Sequence, residues 1–75
     1  MSSYDGKLVM MANQIGKFFL PQRNADPVAA IATHLERYWD PRMRAAIIAH
    51  LKAGGAGLDP QVREAVARLK PPTVA

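Results

Sequence analysis

The stretch that decides the fold is Tyr38-Trp39-Asp40-Pro41-Arg42-Met43-Arg44, because it ends one helix and starts the next within a few residues. Asp40 is a good acceptor for the free N–H groups of a helix start, and Pro41 fits the first helical position, where its missing N–H costs nothing. The same pair recurs as Asp26-Pro27 and Asp59-Pro60. We therefore expect three helices to begin at Asp-Pro pairs, which set the layout of the chain.

Four helical segments are predicted, at about 5–19, 27–39, 41–53 and 60–69, with 70–75 as a loose tail. Each carries its apolar residues at helical spacing. The predicted faces are Leu8, Met11, Ala12, Ile15, Phe18 and Phe19; Val28, Ile31, Leu35, Tyr38 and Trp39; Met43, Ile47, Ile48 and Leu51; and Val62, Ala65, Val66 and Leu69. Since no segment alternates with the period of a strand, we expect one all-α domain over residues 1–75, a small compact bundle of about four helices joined by short turns.

Composition narrows the class of protein. The 75 residues are 49% hydrophobic and include no cysteine, and the net charge is +4. With Asp26, Asp40 and Asp59 placed at helix starts, the remaining surface is more basic than the net charge suggests. The longest apolar run is far short of the roughly 20 residues that span a bilayer, and the first residues lack a secretory pattern. We expect a cytoplasmic protein without a membrane segment.

The residues offer no catalytic set. His34 and His50 lie on different predicted helices, and neither has a nucleophile or carboxylate at a catalytic spacing. Two histidines without cysteine also give no zinc or di-iron ligand set. The glycines of segment 54–57 are read as a flexible turn, because no Gly-Lys-Ser/Thr follows. We predict no catalytic, cofactor-binding or metal-binding residue, and hence no enzyme.

Two features instead favour protein binding. Met10 falls opposite the apolar face of the first helix, and soft contact surfaces use exposed methionine. Arg42 and Arg44 sit in the first turn of the third helix, where a cation is unfavourable by up to about 1 kcal/mol. For Arg44 three interpretations stay open: a packed stem with a solvated head, a pair with Glu36, or an interface anchor formed with Arg42 and Trp39.

Three runs carry a resemblance to a known family. Residues 7–19 read KLVMMANQIGKFF, residues 34–44 read HLERYWDPRMR, and residues 50–65 read HLKAGGAGLDPQVREA. In this combination they resemble the delta subunit of bacterial NAD-dependent (molybdenum/tungsten) formate dehydrogenase. The resemblance covers about residues 7–69.

The resemblance implies an accessory subunit that holds no cofactor itself. Its partners would be a large catalytic subunit, with a molybdenum or tungsten pterin centre and iron–sulfur clusters, and further subunits that carry FMN and reduce NAD. Its role would be assembly, stability or maturation of the molybdenum cofactor. The residues that match the family pattern, together with Met10, form the candidate partner-binding set: Met10, Asn13, Gln14, Trp39, Arg42, Arg44 and Gly57.

Two alternatives remain. One is a small basic helical nucleic-acid-binding module, favoured by the charge and by the tight junction at Asp40-Pro41. Against it, Arg42, Arg44 and Lys52 do not line one face of the third helix, so we expect no nucleic-acid partner. The other is self-association of the isolated chain through a face meant for its partner.

Overall fold

The computed structural model describes residues 3–22 and 26–71. They form four helices: α1 (Ser3–Phe19), α2 (Pro27–Tyr38), α3 (Pro41–Lys52) and α4 (Pro60–Ala67). The predicted all-α class is confirmed, and the described residues contain no strand. The predicted tail falls largely outside the described residues, which end at Pro71.

The helix ends differ from the predicted ones by one or two residues. α1 starts two residues early, at Ser3, and α2 ends before Trp39, whose backbone is extended (φ −86°, ψ 133°). α4 ends two residues early because its last turn tightens. The N–H of Arg68 donates to Ala65, and that of Leu69 donates to Val66, three residues back in each case.

Two of the three Asp-Pro pairs cap their helices as predicted. Asp26 Oδ1 accepts the N–H of Ala29 at 3.0 Å, and Asp40 Oδ1 accepts that of Met43 at 2.9 Å. The third corrects the prediction. Asp59 occupies the N-cap position of α4, but its side chain makes no capping hydrogen bond. Pro60 still supplies the fixed backbone angle that favours a helix start.

The core lies where the four helices meet, and all four residues predicted for the apolar face of the fourth helix belong to it. The buried apolar side chains are Leu8, Val9, Ala12, Val28, Ile31, Leu35, Trp39, Ile47, Leu58, Val62, Ala65, Val66 and Leu69. Two predicted core residues are exposed instead: Phe18 is 63% exposed and Tyr38 is 70% exposed. The reason is that α1 turns its small residues, Ala12 and Gly16, toward the other helices, which places Phe18 at the edge.

Glycine closes α3. The N–H of Gly55 donates to His50 and that of Gly54 donates to Leu51, the paired bonds of a Schellman motif. Gly55 has a φ of 66°, and a Cβ there would lie 2.3 Å from Arg63 Nη1. The Arg63 guanidinium donates to the carbonyls of Gly54 (2.8 and 2.9 Å) and Gly55 (3.2 Å). α4 thereby holds the loop that precedes it.

Candidate interaction surface

The corner between α2 and α3 is built by Arg44. Its Nη1 donates to the carbonyl oxygens of Glu36 (3.4 Å) and Trp39. Glu36 lies in the last turn of α2 and Trp39 directly follows the helix, so both carbonyls lie at its negative end, where carbonyls have no partner within the helix. The N-terminal end of α3 is an unfavourable place for a cation, but the guanidinium of Arg44 is stabilised there because it caps the end of α2. It meets the backbone of Glu36 rather than its carboxylate, which accepts the N–H of Lys70 at 3.3 Å.

Trp39 and Arg42 differ sharply in exposure at the same corner. The Trp39 side chain is 5% exposed and belongs to the core. Arg42 is exposed, and it makes no hydrogen bond or ion pair with the described residues. Of the two arginines in the first turn of α3, Arg42 is thus the one whose guanidinium has no partner among the described residues.

Asn13 connects α1 to the loop between α3 and α4. Its Nδ2 donates to the carbonyl of Gly57 at 2.9 Å, and its Oδ1 accepts the N–H of Asp59 at 3.0 Å. Gly57 has a φ of 85°, and a Cβ there would lie 3.3 Å from Val9 Cγ1. The structure therefore brings together two predicted site residues, Asn13 and Gly57, that lie 44 positions apart.

Met10 and Gln14 are exposed on α1. Met10 is 62% exposed, and Gln14 and Phe18 follow it at four-residue steps. Residues at that spacing lie one above the other on a helix. Met10, Gln14 and Phe18 therefore form an exposed row along α1.

Beside this row a groove of about 490 Å³ opens between α1, α2 and the start of α3. We call it the aromatic groove. It is lined by Met11, Gln14, Ile15, Phe18, Phe19, His34, Tyr38, Trp39 and Met43. Trp39 is one of the lining residues of the aromatic groove, although most of its surface is buried in the core.

Four rings run in sequence across the aromatic groove. The ring centres are 5.1 Å apart for Phe18 and Phe19, 5.8 Å for Phe19 and His34, and 4.8 Å for His34 and Tyr38. These spacings are typical of attractive aromatic pairs. His34 lies beside Tyr38 on α2.

Sequence reasoning missed the aromatic groove because it placed Phe18, Phe19 and Tyr38 in the core. A signal was present: adjacent residues on a helix point about 100° apart, so Phe18 and Phe19 cannot both point to the centre of the core. The same reasoning had separated Met10 from Met11. Applied to the two phenylalanines, it would have placed one of them at the surface.

Away from the aromatic groove, one ion pair ties α2 to the end of α4. Arg68 Nη1 lies 3.3 Å from Asp26 Oδ2, so Arg68 pairs with Asp26 rather than with Glu64, the neighbour one turn away. The N–H of Ala29 holds the pKa of the Asp26 carboxyl below its ordinary value, and the hydrogen bond from Arg68 lowers it further. Both groups are about half exposed, so the contact is a weak surface pair.

The remaining polar groups give no metal centre in the described part of the chain, where no three His, Cys, Asp or Glu side chains are grouped to hold an ion. His50 Nε2 lies 2.8 Å from the carbonyl oxygen of Ala56, so this histidine braces the loop after α3. Among residues 3–22 and 26–71, no helix is long and apolar enough to cross a membrane.

The family is shown by comparison with known proteins. Residues 7–66 match the family described as the NADH-dependent formate dehydrogenase delta subunit, FdsD. The match includes all of α2 and α3 and most of α1 and α4. The chain matches no curated protein and no solved structure. Because the family match extends over most of the 75 residues, the chain belongs to the delta subunit family of NADH-dependent formate dehydrogenase.

Proposed function

We propose that this protein is a non-catalytic accessory subunit that binds the larger subunits of formate dehydrogenase in the cytoplasm. It supports assembly, stability or molybdenum-cofactor maturation of the complex. The observation that carries the proposal is the aromatic groove, in which Phe18 and Tyr38 stand open to solvent in a chain of this family. Aromatic side chains exposed around a groove are typical of protein-binding surfaces.

The candidate partner-binding residues divide into two groups under this proposal. Met10, Gln14 and Arg42 are exposed and contact the partner directly. The other four shape the surface from within, since they are buried or engaged in internal contacts: Asn13, Trp39, Arg44 and Gly57. The division predicts different phenotypes, because the first group affects binding and the second affects folding.

The proposal assigns the chemistry to the partners. They are the large molybdenum- or tungsten-containing catalytic subunit and the other subunits of the complex. The delta subunit itself binds no cofactor. Supporting this, the sequence has no cysteine. Of its two histidines, His34 lies between the rings of Phe19 and Tyr38, and His50 contacts a loop carbonyl.

The arrangement of cations favours a protein partner over nucleic acid. Arg44 is turned onto α2, which leaves Arg42 and Lys52 at opposite ends of α3. A helix that reads the major groove needs its cations and base-reading groups along one face. A salt-dependent gel shift on duplex DNA by the isolated chain would support the alternative.

The test is to express the tagged chain with the other formate dehydrogenase subunits and then to repeat the preparation without it. We expect the tagged chain to retain the large subunit. Full metal content with loose subunits, in the preparation without the chain, would indicate assembly. Low molybdenum content with intact subunit stoichiometry would indicate maturation. The proposal fails if the chain retains no subunit, or if its deletion changes neither quantity.

A further inference from the structure

We infer that the aromatic groove binds a short amphipathic segment of a larger subunit, with apolar side chains seated between Phe18 and Tyr38 and carboxylates at both ends. The inference rests on the proposed function and goes further, since it names the surface and the chemistry of the occupant. It depends on the position of three cations, Lys7, Arg37 and Arg42, around the aromatic groove.

Among the described residues that line the aromatic groove, none is acidic. An apolar trough of this kind suits aliphatic or aromatic anchors. The α1 side runs from Met11 to Phe19, nine residues that rise about 12 Å along the helix, roughly two turns. Two or three side chains of a docked helix would fill that length.

One end of the aromatic groove is positively charged. There it shares Met11 and Met43 with a neighbouring depression that contains Lys7 and Arg42. The acidic residue of that depression is Asp40, whose carboxylate accepts the N–H of Met43 at the start of α3. Two cations therefore face one carboxylate that is already engaged.

The other end is positively charged as well. There the aromatic groove shares Phe19, His34 and Tyr38 with a second depression, which Arg37 borders. None of the described residues that line this depression is acidic. Cations thus stand at both ends of an apolar trough, which is the complement of an apolar segment flanked by carboxylates.

The three cations are available for such a segment. Within residues 3–22 and 26–71, Lys7, Arg37 and Arg42 form no ion pair, whereas Arg68 is paired with Asp26. The same charges argue against a second copy of this chain as the occupant. Each copy has a net charge of +4, so a symmetric dimer would bring like charges together around the aromatic groove.

The test compares matched variants of the tagged chain, expressed with the other subunits. Arg37→Glu and Lys52→Glu make the same charge change, but Lys52 is exposed near the far end of α3 and lies outside all three depressions. We expect Arg37→Glu to weaken binding at least about tenfold at low salt, and Lys52→Glu to leave it unchanged.

Tyr38→Ala should weaken binding about 30-fold, as for an aromatic anchor, whereas Gln61→Ala on α4 should leave binding unchanged. Unchanged thermal unfolding of each isolated variant would confirm that folding is intact.

A second measurement identifies the occupant. Carbodiimide cross-linking joins an amine directly to a carboxylate, so Lys7 should link to an Asp or Glu beside an apolar stretch of a partner subunit.

Retention of the large subunit by the wild-type chain, with equal retention by Arg37→Glu and Tyr38→Ala, would overturn the inference and leave the proposed function standing. A dimer of the isolated chain that Tyr38→Ala dissociates would also overturn it. A wild-type chain that retains no subunit would overturn both.

Discussion

Gly16 on α1 packs so closely against Val62 on α4 that a Cβ at Gly16 would lie 2.6 Å from Val62 Cγ2. Val62 is fully buried and branched at Cβ, so it has little freedom to move aside. Gly16→Ala should therefore destabilise the fold. Overpacking should lower the free energy of unfolding by about 1–3 kcal/mol, and the better helix propensity of alanine should restore up to about 1 kcal/mol of it. The melting temperature should fall by several degrees, since about 1 kcal/mol shifts it by roughly 4–8 °C in a domain of this size.

Gly6 provides the matched control, because it lies on the same helix and a Cβ there would meet nothing within 4 Å. Gly6→Ala should raise the free energy of unfolding by up to about 1 kcal/mol. If thermal denaturation shows both variants to be stabilised, α1 and α4 are not in close contact at Gly16.

Asn13 holds α1 to the α3–α4 loop through two hydrogen bonds, to Gly57 and Asp59. Asn13→Ala should lower the free energy of unfolding by about 1–3 kcal/mol, because the N–H of Asp59 loses its acceptor in a partly buried position. Gln14 is the next residue and is exposed, so the free energy of unfolding of Gln14→Ala should stay within about 0.5 kcal/mol of the wild-type value.

Asn13→Asp tests the orientation of the Asn13 amide. It keeps the acceptor for Asp59 but places a carboxylate oxygen against the carbonyl oxygen of Gly57. The variant should be destabilised at neutral pH, and it should recover part of the loss as acid protonates the new carboxylate. Urea denaturation at two pH values measures both effects. A variant as stable as the wild type at neutral pH would contradict the hydrogen bond to Gly57.

The four helices could be predicted from the sequence because their signals are local. Asp26 and Asp40 cap helices through a side chain that reaches three residues along the chain, and the flanking proline fixes the backbone at the same point. Which side of each helix becomes buried is a different matter, since it depends on the neighbours. Phe18 and Tyr38 fit an apolar stripe, yet both are exposed. For Phe18 the reason is that α1 meets α4 at Gly16 instead.

Asp26 should contribute a pH-dependent part of the stability. Its pKa is lowered in the folded chain from the ordinary value of 3.8, first by the N–H of Ala29 and then by Arg68. A depressed carboxyl pKa stabilises the fold at any pH above the ordinary value. The contribution is lost as the pH falls from about 3.8 through the lowered pKa.

Asp26→Asn isolates this contribution, because asparagine keeps the cap acceptor and removes the charge. The urea midpoint of the variant should lie below that of the wild type at neutral pH, and the gap should close at about pH 2. Glu64→Gln makes the same kind of change at an exposed site on α4 and should leave the pH profile unaltered. A constant gap at every pH would show that the carboxylate charge is not the cause.

The candidate site was harder to predict than the helices, because its contacts join distant positions. The bond between Asn13 and Gly57 spans 44 residues, and no local pattern encodes it. Arg44 looked unfavourable when only α3 was considered. The role of Arg44 becomes clear in the folded chain, where the corner at Asp40 directs the guanidinium of Arg44 back onto α2. That geometry follows from tertiary structure alone. The exposed positions of Met10 and Arg42 could be expected without tertiary structure, because helical spacing and charge were sufficient.

Arg44 and Arg42 should therefore separate folding from binding. Arg44→Ala removes a charged donor from the carbonyls of Glu36 and Trp39 and should lower the free energy of unfolding by about 1–2 kcal/mol. The loss is moderated because the buried Nε of Arg44 has no hydrogen-bond partner among the described residues. Arg44→Lys should recover part of that loss, since an ammonium restores the charge but not the planar fork. Arg42→Ala removes a cation from the positive end of α3 and should stabilise the isolated chain by up to about 1 kcal/mol.

The two variants should show the opposite order in binding. Arg42→Ala should dissociate from the larger formate dehydrogenase subunits more readily than Arg44→Lys, although its isolated fold is the more stable of the two. Paired measurements decide the matter: thermal unfolding of each isolated chain, and retention of the large subunit by each tagged chain. If Arg42→Ala is destabilised in isolation and binds normally, its guanidinium supports the fold, and the corner at Asp40 is not a contact surface.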